Sequence, residues 1–399
     1  MVSASGSRQC VTRGRQYLPA PLDRLLERAK WSRLGPPPSL ALAPPGAGAR
    51  PRVLIAPSNF AGQGAAWAGA LEQEGLARTA NWCFAAGLEA GFAATYLQPV
   101  SINAAPAAFQ SEQFQRVADS FDAVLIESGR PLFGRLFGYS VAKEALALQT
   151  VGLNVAFIWH GSDVRLGGRL PGSEPRDANA RKALKDQTAA QEATAKRRRR
   201  AVPNLGLPQL VSTPDLVAQV KDATWCPVVV QTNGLPPAGP VLQREVPRVV
   251  HIPSNPLLKG TDLIAGQLRE LAEGGRIELV MAENLTHAEV LELYASADVV
   301  VDQFRLGLYG VAAVEAMAMG RLVVSQVGAA ARAVVAETTG LELPIDEVAG
   351  GGIGQGIEKI LAEREAYREL AARGPAFAKS VHDGTLSARI LARTLALKS

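Results

Sequence analysis

Short, continuous apolar runs alternate with Ala- and Leu-rich helical stretches, stop at a Pro/Gly-rich segment, and then resume. No other feature narrows the folds open to this chain so much. Val53-Leu54-Ile55-Ala56, Ala123-Val124-Leu125-Ile126 and Val155-Ala156-Phe157-Ile158-Trp159 are apolar at every position. A strand of that kind has both faces covered, which is the pattern of a parallel sheet with helices on each side. Residues 65–76 and 138–151 supply helical cover. Residues 81–98 can add a further strand. Residues 209–212, the capped turn Ser212-Thr213-Pro214-Asp215 and residues 223–230 return to strand-like material. The alternation predicts a doubly wound α/β domain.

Asn233-Gly234-Leu235-Pro236-Pro237-Ala238-Gly239-Pro240 is stiff and polar, and reads as the centre of a linker over residues 231–247. Beyond it, strands are expected at 248–252, 277–281, 299–301 and 322–325, with helices at 261–273, 288–296 and 311–319. Residues 356–373 and 384–397 read as closing helices. The expected domains are an N-terminal α/β unit over 52–230 and a C-terminal α/β unit over 248–375, followed by a C-terminal helix within 376–399. Between them lies a cleft formed by the carboxyl ends of two parallel sheets, where open α/β sheets bind ligands. A length of 399 residues fits two such domains at about 150 residues each. With 47% hydrophobic and 20% charged residues, global disorder and coiled coil are excluded.

Charge is concentrated in two places. Residues 1–52 hold nine basic side chains against Asp23 and Glu27, and residues 165–200 hold eleven against four acidic ones. Each segment is net +7, and since the whole chain is +5 the remainder is −9. A folded surface that grips nucleic acid would carry the excess itself, so no nucleic-acid partner is expected. Residues 1–51 alternate Arg with Pro, Gly and Ser and read as a flexible tail in which residues 22–34 can form one short helix. Residues 174–200 are polar all round, the pattern of an exposed helix or a flap. Cys10, Cys83 and Cys226 are too few and too scattered for a disulfide framework or a zinc site. There is no apolar stretch of about 18 residues and no signal-peptide core, so the expectation is a soluble cytoplasmic protein.

Several chemistries lack their parts. There is no G-x-x-x-x-G-K-[ST], no G-x-S-x-G and no H-E-x-x-H. The glycines of residues 350–356 miss G-x-G-x-x-G and read as a loop before a helix. No D-x-D pair is present to bridge a metal to a diphosphate.

The strongest local signal is His251-Ile252-Pro253-Ser254-Asn255-Pro256-Leu257-Leu258-Lys259-Gly260-Thr261, a strand end leading through a loop into a helix. Thr261 is a natural N-cap, and the helix amides behind it are partly positive. Lys259 beside that start can meet a diphosphate through charge-assisted hydrogen bonds worth roughly 1.5–3 kcal/mol each. An ordinary surface lysine is the alternative. Residues 302–320 are a glycine-containing loop feeding a small-residue helix. Alanines at 312, 313, 316 and 318 allow close packing, and Gly310 lets a ligand approach the backbone. Glu315 is the sole charge on that helix, and an unpaired buried carboxylate is costly. A vicinal diol such as a ribose suits its two oxygens; a salt bridge to Arg321 is the alternative.

These segments resemble the GT-B glycosyltransferases, specifically the retaining, family-4-like group that uses nucleotide-sugar donors. The matches run in family order across residues 52–330: Asn59-x-Ala61-Gly62-Gln63, His160-Gly161-Ser162-Asp163-Val164-Arg165, Ser212-Thr213-Pro214-Asp215-Leu216, His251-x-Pro253-Ser254 with Lys259-Gly260-Thr261, and Tyr309-Gly310 with Glu315-Ala316-Met317-Ala318-x-Gly320. All four histidines, His160, His251, His287 and His382, fall in or beside such segments, although His287 and His382 read equally as helix-end residues. The resemblance implies two facing Rossmann-like domains and transfer of a sugar to a glycan, lipid or small-molecule acceptor, as in polysaccharide biosynthesis. It implies a donor site of Ser254, Lys259, Gly260, Tyr309, Gly310, Val311 and Glu315, with Glu315 on the ribose and Lys259 on the diphosphate. Asn59, Gly62, Gln63 and Gly64 would form the loop under donor and acceptor, with His160 near the reacting sugar. No cofactor or metal is implied, because the lysine and helix dipole neutralise the leaving diphosphate.

The chain departs from the family pattern in two places. Gly307 stands where a first glutamate often contacts the donor sugar, and Ser254, Asn255 and Pro256 stand where a basic residue often precedes the lysine. A GT-B scaffold that binds a sugar nucleotide or partner without turnover is therefore a second reading, and a sugar-nucleotide 2-epimerase a third. Asp163 can orient His160 or bind an acceptor hydroxyl. Lys196 to Arg200 read either as a solvated basic face or as a contact to an anionic acceptor or membrane surface.

Overall fold

The computed structural model describes residues 50–85, 92, 94–99, 107–167, 170, 173–175, 177–202 and 205–397. The tail expected over 1–51, with its helix at 22–34 and Cys10, lies outside the described residues but for Arg50 and Pro51. The described chain is built on two parallel sheets. The first has the order β3-β2-β1-β4-β5-β6-β7. Its strands are β1 (Arg52–Ala56), β2 (Arg78–Ala85), β3 (Tyr96–Pro99), β4 (Ala123–Glu127), β5 (Asn154–Trp159), β6 (Gln209–Val211) and β7 (Thr224–Trp225). Residues 81–98 thus join two strands, and 223–230 contribute only two strand residues.

Val53, Leu54, Ile55 and Ala56 are fully buried. Leu54 and Ala56 enter the core on one face of the sheet, Val53 and Ile55 the core on the other. That is why β1 reads as a continuous apolar run and not an alternating one. The helices of this domain are α1 (Gln63–Gln73), α2 (Ala107–Ser120), α3 (Val141–Thr150), the single turn α4 (Gly161–Val164) and α5 (Ala178–Ala201). The polar segment expected as an exposed helix or flap is the 24-residue α5, capped by the Asp177 carboxylate, which accepts from Ala180 N at 2.8 Å.

The second sheet has the order β12-β11-β10-β8-β9, with β8 (Arg248–His251), β9 (Glu278–Met281), β10 (Val299–Val301), β11 (Leu322–Ser325) and β12 (Asp346–Glu347). Its helices are α6 (Pro256–Lys259), α7 (Thr261–Glu273), α8 (His287–Ser296), α9 (Val311–Ala318), α10 (Ala329–Thr339), α11 (Ile353–Ala362) and α12 (Arg364–Ala372). In each sheet the chain leaves a central strand on one side and returns on the other, at β1/β4 and at β8/β10. Crevices open at such switch points. The segments after β1 and β5 face those after β8 and β10.

The expected C-terminal helix of 376–399 is two helices, α13 (Gly374–His382) and α14 (Thr385–Thr394), and the second returns to the first domain. Ala388, Ile390, Leu391 and Leu395 complete the core around Val53, Ile55 and Trp67. Each buried Leu or Ile there contributes roughly 1.5–3 kcal/mol. His382 forms the joint. Its Nδ1–H donates to Val228 O at 2.8 Å, its Nε2 accepts the Tyr309 hydroxyl at 3.3 Å, and its carbonyl accepts Val230 N at 2.9 Å. Burial pushes its pKa down to about 4, so the ring is neutral and this tautomer is fixed by its partners.

A second joint is Arg305, whose side chain has no exposed surface. Its Nε donates to Ser173 O at 2.6 Å, its Nη2 meets both Asp262 oxygens at 2.9 Å, its Nη1 meets Leu257 O, and its carbonyl accepts Leu170 N at 2.9 Å. One guanidinium therefore ties a first-domain segment to the loop after β10.

Candidate functional site

A cavity of about 280 Å³ lies between the domains. Gly62, Gln63, Phe92 and the linker residues Asn233 and Gly234 line one side, with His287, Val311 and Glu315 on the other. Of the residues singled out in the sequence, the cavity brings together Gly62, Gln63, Val311 and Glu315.

The loop after β1 is held from beneath. Asn59 Oδ1 accepts Ala65 N at 3.0 Å, and Gln63 bonds both N and O of Val229, at 2.7 and 3.0 Å. A Cβ on Gly64 would lie 2.5 Å from Asn81 Nδ2 and 2.8 Å from Glu127 Oε2, so only glycine fits. Asn59 and Gly64, both buried, thus shape the loop, while Gly62, at φ +72°, presents its bare backbone next to the Phe92 ring.

Across the cavity, Gly310 is extended at the N-cap of α9, and the position of its absent Cβ is open space. The first N–H groups of α9 have no partner within the helix and are a ready anion site. Val311 and Glu315, four apart, share one face. Glu315 is 8% exposed, and its partner is His287: Nε2 lies 2.7 Å from Oε1. That hydrogen bond raises the His287 pKa above its ordinary value. Arg321, the alternative partner read from sequence, instead donates to Met319 O, Ala297 O and Gly239 O.

Other candidates stand apart. Tyr309 is 2% exposed with its hydroxyl on His382, so its side chain is not available to a ligand. Ser254 is exposed on the loop after β8. Lys259 ends α6 and pairs with Asp302, whose side chain is 3% exposed and whose Oδ2 has no partner. Its charge is thus partly compensated before any anion arrives. Gly260, at φ +78°, occupies the N-cap of α7, and the Thr261 hydroxyl is not a cap but bonds His251 Nε2 at 2.8 Å. His251 Nδ1–H donates to Val301 O at 2.8 Å, and burial lowers its pKa, so it is a neutral structural pin.

At the end of β5, His160 stacks on Trp67 with ring centroids 5.7 Å apart. Its Nε2 lies 3.2 Å from Glu127 Oε1 and its Nδ1 3.3 Å from Ser212 Oγ. Glu127 is fully buried, and burial raises its pKa against the opposing pull of His160. The Asp163 carboxylate accepts the His160 backbone N–H at 3.1 Å and pairs with Arg198 at 2.8 Å. Arg198 belongs to the basic run 196–200. It faces inward, Arg199 reaches Gln219 O, and Lys196, Arg197 and Arg200 stay exposed. The run is therefore not a uniformly solvated face.

Gly307 has φ +68°, and a Cβ there would meet Leu170 Cδ2 at 3.0 Å. A glutamate at this place would be strained in its backbone and crowded by Leu170.

Sequence reading gave no role to Glu127, Asp302 or Arg305, left His287 between a family-like position and a helix end, and read Arg198 only as part of the basic run. Two had a signal: Glu127 and Asp302 are single carboxylates ending otherwise apolar runs. Among the described residues no group of three or more His, Cys, Asp or Glu could hold a metal ion, and no helix is long and apolar enough to cross a membrane.

This architecture is found in solved structures. Sucrose-phosphate synthase from Thermosynechococcus elongatus superposes with a TM-score of 0.51 at 14% identity, covering 86% of this chain and 98% of that one. HepE of Anabaena, solved with UDP and glucose, gives 0.54 at 13% identity over 87% and 99%. The fold is GT-B. A glycosyltransferase from Rickettsia africae gives 0.52 at 12% identity over 87% and 98%. No family model matches the sequence, and no curated protein matches it. Within the GT-B frame, the cavity lies between the two sheets' carboxyl ends, beside the starts of α1 and α9.

Proposed function

We propose that this chain is a glycosyltransferase that moves a sugar from a nucleotide-sugar donor to a hydroxyl acceptor, with retention and without a metal. The observation that carries the reading is Glu315, a carboxylate 8% exposed on an otherwise apolar helix, facing a cavity between the domains one turn from an open helix start. The carboxylate suits a ribose diol. The α9 amides suit the diphosphate, with Lys259 supplying charge from the end of α6. The acceptor oxygen attacks the anomeric carbon on the face from which the phosphate leaves. As the C–O bond to phosphate breaks, the hydroxyl proton passes to the leaving phosphate oxygen. His160, held by Glu127 and Ser212, stands at the acceptor side. Because HepE was solved with UDP, uridine nucleotides are the first donors to try.

Gly307, left-handed and covered by Leu170, favours a second reading: a GT-B scaffold that binds a sugar nucleotide without turning it over. Incubation with UDP-, ADP- and GDP-sugars separates the two. Release of the nucleoside diphosphate with acceptor, or slowly to water, is expected of the enzyme; saturable binding with no release supports the scaffold.

The exposed Arg181, Lys182, Lys185, Lys196, Arg197 and Arg200 of α5 fit a peripheral contact with an anionic membrane, at about 1 kcal/mol per basic residue. Co-sedimentation with phosphatidylserine vesicles and not with phosphatidylcholine vesicles is expected; equal binding to both would sink this contact.

A further inference from the structure

The Glu315 carboxylate is already occupied. His287, the first residue of α8, bonds the Oε1 that a ribose would use, and it lines the same cavity with its side chain 45% exposed. It is also the point where the domains meet over the cavity, because the Phe92 ring, from the first domain, lies 5.5 Å from the imidazole and packs on Gly62. Resting on the reading of this cavity as the nucleotide site, we propose that His287 is a proton-sensitive latch that the ribose displaces from Glu315. The segments then move in a defined order: the ribose hydroxyls take the carboxylate, and the imidazole turns out toward the cleft mouth and Phe92.

Glu315 is the charged group that faces His287. Among the described residues the opposite domain brings the Phe92 ring against it, and Glu289, on its own helix, is turned back onto Thr286. In the free protein the carboxylate favours the protonated imidazole, which raises its pKa. Once displaced, the imidazole returns toward its ordinary value near 6.5. Ligand binding then releases a proton, and affinity rises with pH between the ordinary and raised values, staying flat outside that window.

Calorimetry with the full chain and UDP-glucose, ADP-glucose and GDP-mannose tests this, since the phosphates of these donors carry no titrating proton between pH 6 and 8. Wild type is expected to bind one of them about 3- to 10-fold more tightly at pH 8 than at pH 6, releasing a proton measured from buffers of different ionisation heat. His287→Ala is expected to bind as tightly at pH 6 as at pH 8, and more tightly than wild type at pH 6. By NMR, the His287 ring in the free protein titrates above the ordinary histidine range, and Glu315→Gln returns it there. Weaker binding by His287→Ala at every pH, affinity that falls as pH rises, or an unshifted His287 overturns the latch. If Glu315→Gln leaves donor affinity unchanged, or no donor binds, the nucleotide-site reading fails and takes the latch with it. Loss of Glu315-dependent pH sensitivity alone removes only the latch.

Discussion

Glu315→Ala is expected to lower nucleotide-sugar affinity at least about 100-fold and to stop transfer, with the fold intact. Hydrogen bonds to a charged acceptor are worth about 1.5–3 kcal/mol each, and a diol makes two of them. At about 1.4 kcal/mol per tenfold, two lost bonds exceed two decades. The stability cost is small because the partner left behind, His287, is half-exposed and can hydrate. Glu315→Ala is thus a cleaner probe than Lys259→Ala, which would leave Asp302 buried without its cation and lose stability along with activity. Calorimetry and thermal unfolding of the same preparation check the pair of outcomes. Donor binding within a few-fold of wild type would remove Glu315 from the site.

Arg305→Ala is expected to cost about 2–3 kcal/mol of stability, below the ~3–5 kcal/mol for breaking a fully buried pair because Asp262 is 31% exposed and can hydrate. The loss has identifiable parts. The Ser173 and Leu257 carbonyls lose their donor, Asp262 loses a bidentate partner, and the alkyl stem leaves a void in a position with no exposed surface. Arg305→Lys should recover little, since one ammonium cannot serve three acceptors set in a plane. Because Ser173 and Leu170 belong to the first domain, small-angle scattering should show a larger radius of gyration in the variant if it remains folded. Denaturation midpoints equal to wild type would show that the clasp contributes nothing.

Strands were legible in the sequence because burial on both faces keeps residues 53–56 of β1, 123–126 of β4 and 155–159 of β5 apolar without alternation. Glu315 was legible for the same reason in reverse, as the single charge on an apolar helix. What was not legible is who pairs with whom. Glu315 and His287 are 28 residues apart, His160 and Glu127 33, Asp163 and Arg198 35, and Lys259 and Asp302 43. Sheet order sets two of these pairs, by bringing the ends of β4 and β5 and those of β8 and β10 side by side, while the packing of α8 on α9 and of α4 on α5 sets the other two. A proximity argument along the chain offered Arg321 as an alternative partner for Glu315, where tertiary structure puts His287, and it left Asp163 open between His160 and an acceptor, where the structure has it hold the His160 backbone N–H. Arg305 carried no signal at all, since a lone arginine in a loop reads as a surface residue until two domains close over it. The crossing of α14 to the first domain was hidden likewise: its amphipathic pattern shows that it packs, not on what.

The central claim is that a nucleotide sugar lies between the domains with its ribose on Glu315 and its diphosphate at the start of α9. A crystal structure of the full chain soaked with UDP measures that directly. The account predicts both ribose hydroxyls within hydrogen-bond distance of the Glu315 carboxylate, His287 turned away, and phosphate oxygens on the amides of residues 310–313. Nucleotide bound elsewhere on the chain, with the His287 to Glu315 bond undisturbed, would contradict it.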